Sequence, residues 1–540
     1  MSNYSTGTAV LVHTTQGTVK GQCNTSVYDD VYYSFESIPF AQPPLGALRF
    51  KAPVRASPWP GVLDCTQKAK KPLQKHPRTN EIEGDEDCLY LNIYAKKLKS
   101  EKPLPVMVFL YGGGFEKGDP TRDLHGPDYF MMKDVILVTI AYRLGPLGFL
   151  SLTDPTVGAP GNAGLKDQLL GLQWVKENIS EFNGDSHNIT LFGESAGAAS
   201  THYMMLTPLA KGLFHKAILM SGTVLCPWAL SPLKNLPQRL AQVNGYTGNG
   251  DDESVLEYLQ KLPAEELVRP YILTKEENMD DCLFAFGPVI EPYLSAMCIV
   301  PKHPAAMFAD AWGNDIPIIM SGTSFEGLLM FARVHMAPYL LHELNENHQH
   351  MLPLELKQKH DIEKQKELAA KVREAHFAEK ELRMEHLLNY CEYASYKVFW
   401  HPILRTIKAR LRYAHAPTYL YRFDFDSPHF NHQRIGYCGK DVRGVSHVDD
   451  HSYLFYGDFA WKLEKDTPEF RTIQRKIDIW TSFAENSDPN CENLGGNQWA
   501  PLQVDGKLHC LNVSHDLAVI ELPEVHKLQI WDSLYEVAEE

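Results

Sequence analysis

The stretch Thr190-Leu191-Phe192-Gly193-Glu194-Ser195-Ala196-Gly197-Ala198-Ala199 decides how the rest of the chain is read. An apolar segment with strand character runs through Gly-x-Ser-x-Gly into small residues able to begin a helix. A strand that turns this sharply into a helix holds the residue at the turn in strained backbone geometry. Side chains two positions to either side would collide, so glycine stands at 193 and 197. The turn lifts the Ser195 hydroxyl above the sheet edge. It also aims the next amide and the helix N-terminus at any negative charge forming nearby. The pentapeptide alone fits a serine in an ordinary tight turn; the strand before and the helix after make Ser195 a nucleophile candidate.

Working outward, a serine that attacks a carbonyl makes an oxyanion, which needs donors already in place. Val108-Phe109-Leu110-Tyr111-Gly112-Gly113-Gly114-Phe115 supplies a glycine loop directly after a strand. Glycines let backbone N–H groups turn inward with no side chain in the way. Gly113 and Gly114, with Ala196, are the candidate donors.

The serine also needs a base, and 23 histidines are on offer. In hydrolases with this turn, the acid and then the histidine follow the serine along the chain. His447, in Gly444-Val445-Ser446-His447-Val448-Asp449-Asp450, fits that order, with His335, His401 and His429 as rivals. For the acid, Ile316–Gly322 reads as an apolar strand running out into Thr323-Ser324-Phe325-Glu326-Gly327. Loops at the C-terminal ends of such strands are where parallel sheets place their chemistry, so Glu326 is the candidate.

Further apolar runs predict strands at Val106–Leu110, Val135–Ala141, Ile189–Phe192, Ala217–Met220 and Tyr419–Phe425, with a helix over Leu165–Ile179. Strand and helix alternate, which predicts an α/β fold: a large, mostly parallel central sheet flanked by helices. A small antiparallel sheet at the N-terminus is expected from the hairpin pattern Ala9–His13 and Thr18–Gln22. The charged run Pro353–Trp400 reads as a solvated helical pair. No linker or repeat divides the chain. One domain over 8–538 is expected, with a helical insertion at about 330–415.

Composition narrows the function. A net charge of −15, with basic residues scattered, disfavours binding to nucleic acid. No window reaches the roughly 18–20 apolar residues of a membrane span. The first residues, Met1-Ser2-Asn3-Tyr4-Ser5-Thr6-Gly7-Thr8, lack a basic flank and an apolar stretch, so a cytoplasmic protein is expected. Ten cysteines show no zinc-like pairing, and neither metal nor cofactor is called for.

Taken together the motifs resemble the carboxylesterase/cholinesterase (type-B carboxylesterase) family, with the insect α-esterases closest. Phe192-Gly193-Glu194-Ser195-Ala196-Gly197, Glu86-Asp87-Cys88-Leu89-Tyr90-Leu91-Asn92 and Pro160-Gly161-Asn162-Ala163-Gly164-Leu165-Lys166-Asp167-Gln168 carry the likeness, which spans nearly the whole chain. The resemblance implies the α/β-hydrolase fold, a Ser195–Glu326–His447 triad and an oxyanion hole within Gly112-Gly113-Gly114. It also implies ion pairs Arg143–Asp167 and Arg49–Glu86, a supporting role for Glu194 and a Cys65–Cys88 disulfide. Cholinesterases carry a tryptophan between those two cysteines; residues 66–87 contain none, so a choline ester is disfavoured. Juvenile hormone esterases typically have Gln where Glu194 stands.

The expected activity is hydrolysis of small to medium apolar esters, xenobiotic or lipid-like, through an acyl-enzyme on Ser195, with organophosphates and carbamates as inhibitors. A non-enzymatic binding or adhesion protein would have a broken triad or a membrane stalk, and neither is seen in the sequence. A sequestering esterase, acylated quickly and released slowly, fits the same residues.

Overall fold

Strands at the N-terminus mix exposed and buried positions, as a sheet with one wet face requires. They are Ala9–His13 (β1), Thr18–Thr25 (β2) and Val31–Pro39 (β3), with Val62–Asp64 (β4) parallel to β2. Gln74–Lys75 (β5) and Ile82–Glu83 (β6) form a separate ribbon. Then come Tyr90–Ala95 (β7), Leu104–Leu110 (β8), Ile136–Ile140 (β9) and Gly184–Glu194 (β10). Lys216–Met220 (β11), Ile318–Thr323 (β12), Thr418–Phe423 (β13), His509–Val513 (β14) and Leu517–Glu521 (β15) complete the set. The structure, a computed structural model, describes residues 9–536 apart from 77, 78, 281, 379 and 505.

One sheet runs β1-β2-β3-β7-β9-β8-β10-β11-β12-β13-β14-β15. The stretch from β9 to β14 is parallel throughout, and the flanking pairs are antiparallel. Every residue of β9, β11, β12 and β13 is buried, because helices cover both faces of a parallel sheet. That is the α/β-hydrolase arrangement expected from the sequence. The N-terminal antiparallel strands are present, and they join the parallel strands edge to edge through β3 and β7.

One strand boundary differs from the sequence expectation, and one strand was not foreseen. The run at 316–322 begins its pairing at Ile318, because Pro317 has no N–H to give. Its carbonyl instead accepts from the Ala217 amide. Sequence reading passed over β7 because Asn92 interrupts its apolar pattern. Asn92 is fully buried, donating to Pro120 O and Thr139 Oγ1 and accepting from the Ser37 amide.

Ala163–Asn178 (α1) and Ala196–Leu206 (α2) are buried nearly all round. The region 330–415 is helical, and includes Ile362–Phe377 (α3) and His401–Tyr413 (α4). The charged helix α3 is not a purely solvated face: Leu368, Ala369, Val372 and Phe377 are buried beneath it. A π-helical turn at Ser395–Trp400 leads into α4, and Trp400 Nε1 donates to Thr323 O at the end of β12. Pro468–Asn486 (α5) sends Ile473, Ile477, Trp480 and Phe483 into the core. No helix of the described residues is long and apolar enough to cross a membrane.

Candidate active site

Strand β10 ends at Glu194, α2 begins at Ala196, and Ser195 between them has φ 57° and ψ −120°. A non-glycine residue in that region is strained. Two backbone bonds hold the turn: the Ser195 amide donates to Met220 O at 2.8 Å, and Ser195 O accepts from Ala199 at 3.0 Å. The glycines are steric necessities. A Cβ on Gly197 would lie 1.9 Å from Leu110 O, and one on Gly193 2.3 Å from the Gly197 carbonyl carbon.

Ser195 Oγ lies 2.8 Å from His447 Nε2, and His447 Nδ1 lies 2.7 Å from Glu326 Oε2. The other Glu326 oxygen accepts from Ser221 Oγ at 2.6 Å and from the Thr323 amide at 2.7 Å. Glu326 is fully buried, so these donors replace its lost hydration. Backbone bonds tie the two loops together: Phe325 N donates to Val445 O, and His447 N to Glu326 O. The Phe399 ring packs 4.3 Å from the imidazole, between ring centres.

The glycine loop lies against the same serine: a Cβ on Gly112 would come 3.0 Å from Ser195 Cβ. Gly113 and Gly114 have φ 109° and 66°. Added Cβ atoms would meet Lys117 O at 2.1 Å and the Phe284 ring at 2.1 Å. The amides of Gly113, Gly114 and Ala196 donate no hydrogen bond among the described residues. A forming oxyanion requires N–H groups with no other partner, and these three have none.

Glu194 adds a carboxyl with an unfilled oxygen. It is 3% exposed, and its Oε1 lies 3.3 Å from His447 Nε2 without a hydrogen-bond partner. Burial, opposed by His447 and reinforced by Asp450 and Glu326, pushes its carboxyl up to about 8. For His447, burial alone favours loss of the proton; Glu194, Glu326 and Asp450 outweigh it and raise the imidazole above its ordinary value. The two titrate as a pair.

The rivals fall away. His335 is exposed and bonded to Phe331 O, His401 is buried against Asp532 at 3.4 Å, and His429 is exposed. Sequence reasoning missed Ser221, Phe399 and Phe284. Only Ser221 left a signal, as a polar residue at the C-terminal end of the strand beside β10. Tyr453, six residues past His447, is core, fully buried with its hydroxyl donating to Asn431 Oδ1. Trp228 stands near the site, its ring 6.5 Å from Phe115 and 6.1 Å from Phe399.

Both ion pairs implied by the resemblance are formed. Arg143 grips Asp167 with Nε at 2.8 Å and Nη2 at 2.7 Å, both residues being buried. Arg49 holds Glu86 in the same two-pronged way at 2.7 and 2.6 Å. The disulfide is not formed: Cys65 and Cys88 are free, buried thiols. Burial pushes Cys65 up to about 12 and Cys88 well above the ordinary thiol value.

With that geometry in hand, comparison with known proteins gives the family. Residues 8–531 match the carboxylesterase family. The chain is a member of the carboxylesterase family. It is 40% identical over 537 residues to esterase B1 of Culex pipiens, covering 98% of each chain. Juvenile hormone esterase of Tribolium castaneum is 34% identical, over 94% of this chain and 88% of that one. Venom carboxylesterase-6 of Apis mellifera is 29% identical over 93% and 90%. Among solved structures, juvenile hormone esterase from Manduca sexta with OTFP covalently attached superposes with a TM-score of 0.86 at 30% identity, covering 98% of this chain and 100% of the other. The chain is therefore a carboxylic-ester hydrolase.

The relatives correct one expectation. A cytoplasmic location does not follow for a carboxylesterase that aligns along nearly its whole length with a venom enzyme and with juvenile hormone esterases. A secretory leader is removed from a mature chain and leaves no mark on the fold, so the first residues were weak ground for it.

Proposed function

We propose that this carboxylesterase cleaves small to medium apolar esters, xenobiotic or lipid-like, through an acyl-enzyme on Ser195. His447 Nε2 takes the Ser195 proton as Oγ bonds to the ester carbon, and the carbonyl electrons move onto oxygen. That oxyanion rests on the amides of Gly113, Gly114 and Ala196. As it collapses, the alcohol's C–O bond breaks and His447 returns the proton to the leaving oxygen. Water then attacks the acyl carbon by the same route. Glu326 holds the imidazole tautomer and stabilises its cation, and Glu194 supplies electrostatic support. Residues 8–538 act as a single catalytic unit. Organophosphates and carbamates modify Ser195, because they present an electrophilic centre to the same donors.

The observation that carries this reading is the relay Ser195 Oγ–His447 Nε2 at 2.8 Å and His447 Nδ1–Glu326 Oε2 at 2.7 Å. The test is Ser195→Ala assayed on p-nitrophenyl esters of graded acyl length, with active sites of the parent titrated by an organophosphate. Turnover is expected to vanish and titration to give one site per chain. A Ser195→Ala protein with full turnover would falsify the assignment.

The apolar substrate class is supported by Trp228, Phe284 and Phe399 around the serine and by the absence of a tryptophan from 66–87. The juvenile hormone esterases among the relatives leave the alcohol and acyl lengths to that same ester panel.

A further inference from the structure

The turn after His447 is bonded to a lysine that the mechanism does not use. Lys476 sits on α5 and is fully buried. Its Nζ donates to Asp450 Oδ2 at 2.6 Å and to Asp450 O at 2.8 Å. The rings of Phe423 and Trp480 each lie 5.1 Å from the ammonium. Asp450 is on the short helical turn Asp449–Tyr453 that directly follows His447. It is 1% exposed, and its second oxygen, Oδ1, has no hydrogen-bond partner.

A lysine buried from solvent is costly, and an apolar pair of the same volume would suit stability at least as well. The groups surrounding His447 explain why a cation belongs there. Carboxylates approach from three elements: Glu194 at the end of β10, Glu326 after β12, and Asp449 and Asp450 on the turn. Asp449 is occupied by the amides of Gln433, Arg434 and Ser446. Two further imidazoles, His125 and His451, pack on the far side, 4.8 Å apart between ring centres, and burial holds both neutral. The phenols of Tyr142 and Tyr421 face Glu194 and Asp450, and burial keeps both protonated. Arg434 acts on Asp449, and Lys476, lowered by burial to about 8 against the pull of Asp450, is the cation bonded to Asp450.

We infer that Lys476 is a positioning residue for catalysis: by neutralising Asp450 one turn from His447, it leaves Glu194 and Glu326 as the charges that set the base. With Asp450 uncompensated, a further negative charge would hold the proton on the imidazole and keep it from serving as a base at neutral pH. The Coulombic reach agrees, since Asp450 raises His447 and Lys476 opposes the upward shift of Glu194. The inference rests on His447 being the base for Ser195.

The experiment is the pH dependence of kcat/KM for p-nitrophenyl acetate between pH 5 and 9, with thermal melts alongside. In Lys476→Met the acid limb is expected to move up by about one pH unit, a tenfold loss on that limb, as one charge acting through a protein interior would give. Asp450→Asn, which leaves the lysine in place, moves the limb the other way. Lys476→Met/Asp450→Asn brings it back to the parental position. If Lys476→Met does not fold, the direction of the Asp450→Asn shift decides. A limb that stays put in both single variants, with only the melting temperature lowered, would overturn the inference and make the pair purely structural. Failure of the triad reading is distinguishable, because there the Ser195→Ala protein keeps turning over.

Discussion

Arg143–Asp167 and Glu194–His447 are both buried pairs of opposite charge, and they are built in opposite ways. Asp167 has its two oxygens filled by the Arg143 guanidinium at 2.8 and 2.7 Å and by the Arg143 amide at 3.0 Å. Glu194 has an oxygen 3.3 Å from an imidazole nitrogen and no hydrogen bond to it. A carboxylate whose oxygens are all filled by donors holds backbone in place. An unmatched one leaves a proton with two nearly equal places to go. Complete satisfaction marks a carboxylate as architectural, and a deficit beside a titrating group marks it as part of the chemistry.

The sharpest way to break the comparison is at Glu326, which is fully satisfied and still belongs to the relay. Glu326→Gln keeps the shape and removes the charge that stabilises the imidazolium, so kcat is expected to fall about 10⁴-fold. A loss under tenfold in single-turnover assays would mean that the carboxylate only props the loop.

Next in size is Asp167→Asn, which strands the Arg143 guanidinium in the core. Denaturant unfolding is expected to show a loss of about 3–5 kcal/mol. At temperatures where the variant is folded, its kcat should match the parent. A catalytic defect without a stability defect would place Arg143–Asp167 in the chemistry after all.

Replacing both partners, as Arg143→Met/Asp167→Leu, removes the stranded charge and leaves chiefly the Arg143 amide unpaired, a cost of about 1–3 kcal/mol. A double variant less stable than Asp167→Asn would show that the pair contributes net stability beyond relieving its own desolvation.

The smallest effect is expected at Glu194→Gln. Glu194 is the foremost charge raising His447, so without it the acid limb of kcat/KM should move to lower pH. Stability changes too, with a definite sign. A carboxyl raised to about 8 by burial binds its proton more tightly folded than unfolded, so its contribution is full at low pH. That contribution is lost as pH rises from the ordinary carboxylate range towards 8. Melting temperatures of Glu194→Gln should therefore decline less than the parent's over that window. Parallel declines would show that Glu194 titrates normally.

Much of this site was legible in one dimension because its parts are local. The turn at Ser195 announces itself through Gly193 and Gly197, whose Cβ atoms would strike the backbone of the same turn and of β8. The oxyanion loop reads equally well, since Gly113 and Gly114 follow directly on a strand. The partners of the serine are another matter. His447 lies 252 residues from Ser195 and 121 from Glu326, and chain order alone left His335, His401 and His429 as rivals. The family's motifs, not spacing, made the choice. Ser221 was missed because its role exists only where β11 lies beside β12. Strand β7 was missed because the partners of Asn92 come from β3 and β9 and the loop before it.

By itself, then, the sequence determined the strand–serine–helix turn, the glycine loop and the alternation that makes a parallel sheet, since sterics and periodicity act within a few residues. Folding decided which imidazole meets the hydroxyl, that Cys65 and Cys88 stay as separate buried thiols, and that Lys476 ends on Asp450. Those outcomes depend on which side chains lose water together, and burial is a property of the packed chain rather than of any short stretch of it.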